Sequence, residues 1–230
     1  MKIFAIQLQH LDEKKAREQL DRLKPFVSPE KQATAERFRF LNDARRTLLG
    51  EVLIRQIIHH MHGTPIDQIA FDTEENGKPV VRQIPSFHFN LSHSGDWIVC
   101  AVDDAPVGID IEEIKPIDLA IAKRFFSPEE YTDLLSKPAE QQEAYFFHLW
   151  SMKEAFIKMT GKGLSYGLSS FTARLSADGQ ASLTLPAHEP PCYVKTFSLD
   201  PAYQMAVCSR KPIFTEKIET LTCSEVLSRM

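Results

Sequence analysis

Two acidic residues at alternate positions of an apolar segment are the first candidates for chemistry. Asp110 and Glu112 belong to residues 107–112, which read VGIDIE. Because successive side chains of a β-strand point to opposite faces, the two carboxylates share one face. All-oxygen ligation favours Mg²⁺, which commonly takes one or two carboxylates together with substrate phosphates. The segment is therefore either part of a magnesium site or an amphipathic strand with a solvated acidic face.

A predicted helix at residues 140–160 carries the second signal. Its apolar residues recur at spacings of three and four, and Glu154 and Lys158 are four residues apart on one face. Taken alone, this pair is an ordinary surface ion pair. Beside the two carboxylates of the strand, Glu154 could be a third metal ligand or a general base. Lys158, and with it Lys153, could hold phosphate oxygens.

Hydroxyl and imidazole groups cluster in the segment FNLSHSG at residues 89–95. Ser92 and His93 invite comparison with hydrolases, but a GxSxG motif is absent and adjacent side chains rarely face each other. His93, at the end of a predicted strand, is either a phosphate ligand or a structural histidine.

Two further groups of residues could support anion binding. The turn NGKP at residues 76–79 would project Lys78, although such a sequence is more often only a turn. The second group is a basic cluster, which could instead be a solvated helix face. Its members are Lys31, Arg45, Arg46 and Thr47.

An internal repeat indicates how these residues are positioned. The pattern Ser-Pro-Glu begins at Ser28 and again 99 residues later at Ser127. Each copy is a helix start, with serine as the N-cap and proline at the first helical position. A longer helical pattern follows each start, and one alignment of these two helices places Arg55 on Lys158.

The mixture of strands and helices without regular βαβ alternation predicts an α+β fold, and the repeat predicts two similar halves, with residues 1–105 in the first half and 106–230 in the second. Strands are predicted at 2–8, 87–91, 97–102, 107–112, 170–176, 181–185, 192–199 and 203–208. Helices are predicted at 12–23, 29–61 (with a break allowed inside it), 117–124, 128–136 and 140–160.

Composition argues against several classes of protein. The 230 residues are 43% apolar and 25% charged, as in globular rather than disordered chains. A net charge of −4 argues against general nucleic-acid binding. Nine glycines, without GxGxxG or GxxxxGKS/T, argue against a glycine-rich phosphate loop. Four isolated cysteines and the lack of a membrane-length apolar stretch predict a reduced, cytoplasmic protein with no membrane partner.

Together the motifs resemble those of one enzyme family, the Sfp-type 4′-phosphopantetheinyl transferases, and in particular the broad-specificity enzymes that serve bacterial non-ribosomal peptide synthetases. The motifs that carry the resemblance are GIDIE at 108–112, WSMKEAFIK at 150–158, FNLSHS at 89–94, RRTLLG at 45–50, NGKP at 76–79 and RFFSPEEY at 124–131. They extend over essentially the whole chain. The resemblance implies a pseudo-twofold monomer with coenzyme A in the cleft between its halves.

The resemblance also implies an activity. It is the Mg²⁺-dependent transfer of 4′-phosphopantetheine from coenzyme A to a serine hydroxyl of an apo peptidyl or acyl carrier protein, with release of adenosine 3′,5′-bisphosphate. The implied metal ligands are Asp110, Glu112 and Glu154. Glu154 is the first candidate for the general base, with a metal-bound water molecule as the alternative. The residues implied at the coenzyme are Lys31, Thr47, Gly77, Lys78, Pro79, Ser92, His93 and Lys158.

The chain departs from the family pattern at one position. Relatives often carry a second lysine three residues after the one at Lys31, whereas this chain has Thr34. The contact to the coenzyme 3′-phosphate would then be weaker or supplied by an arginine. Residues 115–135, which include Lys123, Arg124, Phe125 and Phe126, are a hypothesis for the surface that docks the carrier protein.

Two other functions remain open. A metal-dependent nuclease is the rival enzyme, because Glu113 and Lys115 follow Asp110 as in an acidic–lysine nuclease core. The acidic balance argues against it. A module that binds carrier proteins without chemistry is the second alternative, and it would show no Mg²⁺-dependent binding of coenzyme A.

Overall fold

The computed structural model describes residues 1–176 and 178–228. The helices are α1 (Glu13–Leu23), α2 (Pro29–Glu36), α3 (Leu41–His62), α4 (Ala122–Phe125), α5 (Pro128–Ser136), α6 (Ala139–Thr160) and α7 (Cys223–Ser228). The strands are β1 (Lys2–Gln7), β2 (Asp72–Thr73), β3 (Pro79–Val80), β4 (His88–Ser94), β5 (Trp97–Asp103), β6 (Val107–Glu113), β7 (Thr172–Leu175), β8 (Ala181–Thr184), β9 (Tyr193–Phe197), β10 (Tyr203–Ser209) and β11 (Ile218–Thr222). In these described ranges, we find no helix with both the length and the apolar character needed to cross a membrane.

Two sheets form the centre of the fold. The first has the strand order β11-β1-β5-β4 and the second the order β6-β10-β9. Because side chains alternate along each strand, one face of each sheet packs against the other sheet and the opposite face packs against a long helix. Ile3, Val99 and Ile109 lie in the core between the sheets. Helix α3 covers the first sheet and α6 covers the second.

The two halves repeat the same helical arrangement. Ser28 and Ser127 cap α2 and α5 with their side chains, as predicted. The long helices α3 and α6 each have 22 residues, and they end at Gly63 and Gly161 with φ values of 71° and 69°. Glycine adopts this left-handed conformation without steric penalty. The predicted α+β fold of two similar halves is confirmed.

The helix ends correct the register of the repeat. They lie 98 residues apart, so Arg55 corresponds to Lys153 and not to Lys158. The side-chain contacts agree, because Arg55 donates to Glu51 and Lys153 donates to Glu130. In both halves that carboxylate accepts the backbone N–H of the helix-start serine. Lys158 does not belong to this repeated ion pair and instead pairs with Asp110.

Some boundaries differ from the sequence prediction. The predicted helix 29–61 is divided into α2 and α3, and the predicted helix 117–124 is only a 3₁₀ turn followed by α4. Strand β4 continues to Ser94. The unpredicted elements β11 and α7 return to the first half, where β11 pairs with β1 and α7 packs in the core with α3.

Candidate active site

A close contact between β6 and α6 brings the candidate residues together. Gly108 lies beneath α6, and a Cβ atom at this position would overlap the backbone of Ala155 and Met159. Glycine is therefore required for the helix to approach the strand this closely. The contact places Glu154 and Lys158, on α6, next to the acidic face of β6.

An ion pair between Lys158 and Asp110 lies at the centre of the cluster. Nζ of Lys158 is 2.5 Å from Oδ1 of Asp110 and donates a second hydrogen bond of 2.8 Å to Oγ of Ser92. The Ser92 hydroxyl donates to the same carboxylate oxygen at 2.9 Å. Asp110 is only 2% exposed, so the attraction is screened less by water than in a surface pair.

Burial raises the pKa of three carboxyl groups, and repulsion by Asp110 adds to the shift in two of them. Burial raises the pKa of Asp110 even though the ammonium group of Lys158 opposes the shift. Burial, followed by the charge of Asp110, raises the pKa of Glu112 to about 7. The same two causes, in the same order, raise the pKa of Glu154. Carboxylates that repel one another in a site with little water favour a cation between them.

Among the described residues, one buried carboxylate oxygen of the cluster has no hydrogen-bond partner. Oδ2 of Asp110 is buried and makes no hydrogen bond within the described part of the chain. An oxygen donor of this kind suits Mg²⁺. Within residues 1–176 and 178–228, no three His, Cys, Asp or Glu side chains are arranged to hold a metal ion by themselves. The cluster thus fits a Mg²⁺ ion that takes one or two carboxylates together with phosphate oxygens, and the set of Asp110, Glu112 and Glu154 stays a prediction.

A large cavity has in its wall His93, which follows Ser92 of this cluster in β4, while its other lining residues also belong to the first half of the chain. Its volume is about 1030 Å³, which is at the upper end of the range for pockets that bind organic ligands. Residues of α2, α3, β4 and the turn between β2 and β3 line it. Five of the predicted coenzyme residues are among them, namely Lys31, Thr47, Gly77, Pro79 and His93.

Positively charged side chains lie both in the wall of the cavity and in the carboxylate cluster. Arg46 also lines the cavity, and its guanidinium group donates to the carbonyl oxygen of Gly95 and to the Asp43 carboxylate. The pKa of His93 is lowered first by the loss of water around its ring and then by the charges of Arg46 and Lys158. Lys158 therefore acts on both regions, and the combined site suits a polyanionic ligand that reaches from the cavity to the carboxylates.

Comparison with known proteins identifies the family that shares this sequence. Over 230 residues the chain is 78% identical to the 4′-phosphopantetheinyl transferase psf-1 of Bacillus pumilus, with 100% of this chain and 99% of that protein covered. The chain belongs to the 4′-phosphopantetheinyl transferase family. It is also 50% identical over 227 residues to the 4′-phosphopantetheinyl transferase Sfp of Bacillus subtilis strain 168, which covers 99% of this chain and 100% of the relative.

Two family models match consecutive parts of the chain. The model described as 4′-phosphopantetheinyl transferase, N-terminal, matches residues 14–105, and the 4′-phosphopantetheinyl transferase superfamily model matches residues 106–208. A solved structure of a Bacillus anthracis holo-(acyl-carrier-protein) synthase in complex with CoA (3′,5′-ADP) is similar with a TM-score of 0.40 and 18% identity, over 46% of this chain and 94% of that chain. The predicted family and the predicted enzyme class, a phosphopantetheinyl transferase, are confirmed.

Not every predicted coenzyme residue of this transferase faces the cavity. Nζ of Lys78 donates to the carbonyl oxygens of Val107 at 3.3 Å and Met159 at 3.0 Å. Burial lowers the pKa of Lys78. The side chain of Lys78 therefore joins the start of β6 to the end of α6. Ser92 belongs to the carboxylate cluster, through its contacts to Asp110 and Lys158.

Three other interpretations from the sequence are wrong. Arg45 is not on a solvated helix face, since it is fully buried and donates to Gln19. Lys153 cannot hold a phosphate, because its buried ammonium group is bound by Glu130. Phe126 is unavailable for docking a carrier protein, because it is 3% exposed and lies in the core.

Sequence reasoning also missed two residues that shape the site. Gly108 was part of a recognised motif, but its packing role requires knowledge of α6. Ser94 donates a hydrogen bond of 3.0 Å to Oε2 of Glu112. Its signal in the sequence was the alternation of Ser92 and Ser94, which mirrors that of Asp110 and Glu112.

Proposed function

We propose that this chain catalyses the Mg²⁺-dependent transfer of 4′-phosphopantetheine from coenzyme A to a serine hydroxyl of an apo peptidyl or acyl carrier protein. The observation that supports this most directly is the position of Lys158. Its ammonium group lies 2.5 Å from Asp110, and its charge acts on His93 in the wall of the cavity. A cation so placed can neutralise a pyrophosphate that extends from the cavity to the carboxylates.

Binding of coenzyme A is assigned to the cavity. Its volume of about 1030 Å³ suits a large nucleotide ligand. Lys31, Arg46 and His93 line the cavity and can donate hydrogen bonds to phosphate oxygens. Because Thr34 replaces a second lysine, Arg46 is the proposed second cationic contact for the 3′-phosphate. Gly77 and Pro79 form the part of the wall proposed for the adenine base.

The reaction is a displacement at the β-phosphorus of coenzyme A. A bond forms between the serine oxygen of the carrier protein and that phosphorus atom. The bond from the phosphorus to the bridging oxygen breaks, and adenosine 3′,5′-bisphosphate leaves with that oxygen. Lys158 stabilises the negative charge that develops on the phosphate oxygens.

Glu154 is the proposed acceptor of the serine proton. Without a cation, burial and the charge of Asp110 raise its pKa, and a bound cation would lower it. Glu154 is proposed as the base because it lies close to both Asp110 and Lys158. Mg²⁺ held by Asp110, Glu112 and Glu154 would supply further charge neutralisation at the pyrophosphate. Oδ2 of Asp110, which has no hydrogen-bond partner among the described residues, supports a cation at this place.

Three broader expectations accompany the proposal. The chain is proposed to act as a monomer in the cytoplasm, with residues 1–105 supplying most coenzyme contacts and residues 106–230 supplying the carboxylates. Apo carrier proteins are its proposed partners. With Phe126 buried, the large apolar side chains that are exposed in the proposed docking region 115–135 are Ile121 and Leu135, which are 38% and 49% exposed.

The experiment that tests the function uses purified protein, coenzyme A, Mg²⁺ and an apo carrier protein. Tandem mass spectrometry should locate one phosphopantetheinyl group on the carrier serine, and chromatography should detect an equal amount of adenosine 3′,5′-bisphosphate. A carrier variant with that serine changed to alanine is the control. Release of the bisphosphate at the same rate with this control would show hydrolysis of coenzyme A and contradict the transfer.

A further inference from the structure

Side chains of β4 accept hydrogen bonds from backbone N–H groups along the free edge of β6. Strand β6 is the edge strand of its sheet, so alternate N–H groups have no partner strand. The N–H group of Ile109 donates to Oδ1 of Asn90 at 2.9 Å, and that of Glu113 donates to Oγ of Ser94 at 3.1 Å. The N–H group between them bonds weakly to Oγ of Ser92, at 3.4 Å. Three side chains of the first sheet therefore hold a strand of the second.

The same serines contact the two carboxylates of β6. Ser92 donates to Oδ1 of Asp110 at 2.9 Å, and Ser94 donates to Oε2 of Glu112 at 3.0 Å. The spacing is identical, since each serine pairs with the acid 18 residues later in the chain. Asn90, at the first position of the series, bonds to the backbone of β6 but has no acidic residue opposite it.

The chemistry of the carboxylate fixes the direction of the hydrogen bond at Ser94. An ionised carboxylate only accepts hydrogen bonds, whereas a hydroxyl group has one hydrogen and two acceptor lone pairs. Oγ of Ser94 therefore donates to Oε2 of Glu112 while it accepts the N–H of Glu113. A hydroxyl anchored in this way restrains the rotation of the carboxylate, which otherwise has a flexible side chain.

We propose that Ser94 is a positioning residue that sets the orientation of the Glu112 carboxylate for the divalent cation. The proposal rests on the proposed function, because it assumes that Glu112 binds the metal. Ser94 acts from the first half of the chain on an acid of the second half. Ser92 has the corresponding contact to Asp110, but it also contacts Lys158, so its substitution would change two interactions at once.

The alternative role for Ser94 is to hold β6 against β4 and nothing more. Asn90 provides the matched control, because it makes the same kind of bond to the backbone of β6 without touching a carboxylate. A purely structural role predicts that loss of either side chain has the same effect on the cation site. A positioning role predicts that only the loss of the Ser94 hydroxyl weakens it.

The test measures the affinity of the full-length protein for Mn²⁺, in the presence of coenzyme A and without carrier protein, by electron paramagnetic resonance. Ser94→Ala should raise the Kd for Mn²⁺ about tenfold, as for other residues that orient a metal ligand. Ser94→Cys, which keeps the volume but donates weakly, should also raise it. Ser94→Thr should restore tight binding. Asn90→Ala should lower the Tm while leaving the Kd within about twofold.

The outcomes separate the two proposals. If the wild type binds Mn²⁺ and Ser94→Ala binds it equally well, the positioning role is wrong and the proposed function stands. An equal loss of affinity in Asn90→Ala would likewise show that Ser94 is only structural. If the wild type itself binds no Mn²⁺ with coenzyme A, the metal requirement of the proposed function is wrong, and the role of Ser94 is wrong with it.

Discussion

Nζ of Lys158 lies 2.5 Å from Oδ1 of Asp110, which joins the last turns of α6 to the middle of β6. The carboxylate is buried, whereas Lys158 is partly open to solvent with 27% of its side chain exposed. Lys158 can therefore contact a ligand in solvent. At the same time, its ammonium group neutralises a carboxylate that has little contact with water. Asp110 has a second oxygen that remains without a partner in the described structure.

The Lys158–Asp110 ion pair should produce a measurable coupling energy in a double-mutant cycle. Lys158→Met leaves the negative charge of the buried Asp110 without its positive partner. Asp110→Asn removes that negative charge, so the loss of Lys158 should matter less. We expect the loss of unfolding free energy caused by Lys158→Met to be smaller in the Asp110→Asn background by about 0.5–3 kcal/mol. Urea denaturation of the four proteins measures the coupling. Additive effects would show that the two side chains do not interact in solution.

Gly108 should be intolerant of any side chain. A methyl group there would overlap the backbone of α6, so Gly108→Ala should lower the unfolding free energy by about 1–3 kcal/mol and slow transfer by displacing Glu154. Gly50→Ala, inside helix α3, is the matched control for stability, since its added methyl group would make only ordinary van der Waals contacts, to Leu91 and Ile98. It should preserve or raise the Tm. Equal Tm changes in the two variants would refute the close packing at Gly108.

Half-buried histidines with a lowered pKa should make the protein less stable in mild acid. Burial lowers the pKa of His148 below 6.5, and its Nδ1 lies 3.0 Å from Oε1 of Gln204. Below about pH 6.5 the unfolded chain therefore binds a proton that the folded chain does not, and stability falls with pH by at most about 1.4 kcal/mol per unit for this group. His148→Gln should show a smaller decrease in Tm between about pH 7.5 and 5.5. Loss of water also lowers the pKa of the half-buried His88, so some decrease remains. Parallel curves for the wild type and the variant would contradict the assignment.

Lys31 should distinguish coenzyme A from its 3′-dephospho analogue. It lines the cavity, and loss of a charge-assisted hydrogen bond to phosphate should raise the KM about tenfold. Lys31→Ala should therefore raise the KM for coenzyme A more than that for dephospho-coenzyme A. Lys14→Ala, at an exposed position of α1, should change neither constant. An equal change with both substrates would remove Lys31 from the 3′-phosphate.

Local periodicity was sufficient to predict part of the site. The alternation of Asp110 and Glu112 and the helical spacing of Glu154 and Lys158 are properties of single elements. Their association across β6 and α6 came from the resemblance to a family. The partner of Lys153 could not be predicted in this way, because Glu130 lies on another helix and the pair is wholly buried.

Tertiary contacts explain what the sequence did not reveal. Ser94 matters because β4 lies along the free edge of β6, and neither strand alone indicates that neighbour. The same is true of β11, in which Leu221 is the buried residue. This segment is a strand because it pairs with β1, and its own sequence does not indicate that pairing. Arg45 resembled a solvated residue because its partner Gln19 is on a different helix.

The central claim is that the carboxylates beside Lys158 carry out phosphopantetheinyl transfer, and the intact mass of an apo carrier protein tests it most directly. With coenzyme A and Mg²⁺, the wild type should add one phosphopantetheinyl group. Glu154→Gln should do so about 10²–10⁴-fold more slowly at an unchanged Tm, since it loses the proposed base. Glu140→Gln, an exposed change on the same helix, should match the wild type. Modification by Glu154→Gln at the wild-type rate, or none by the wild type, would contradict the account.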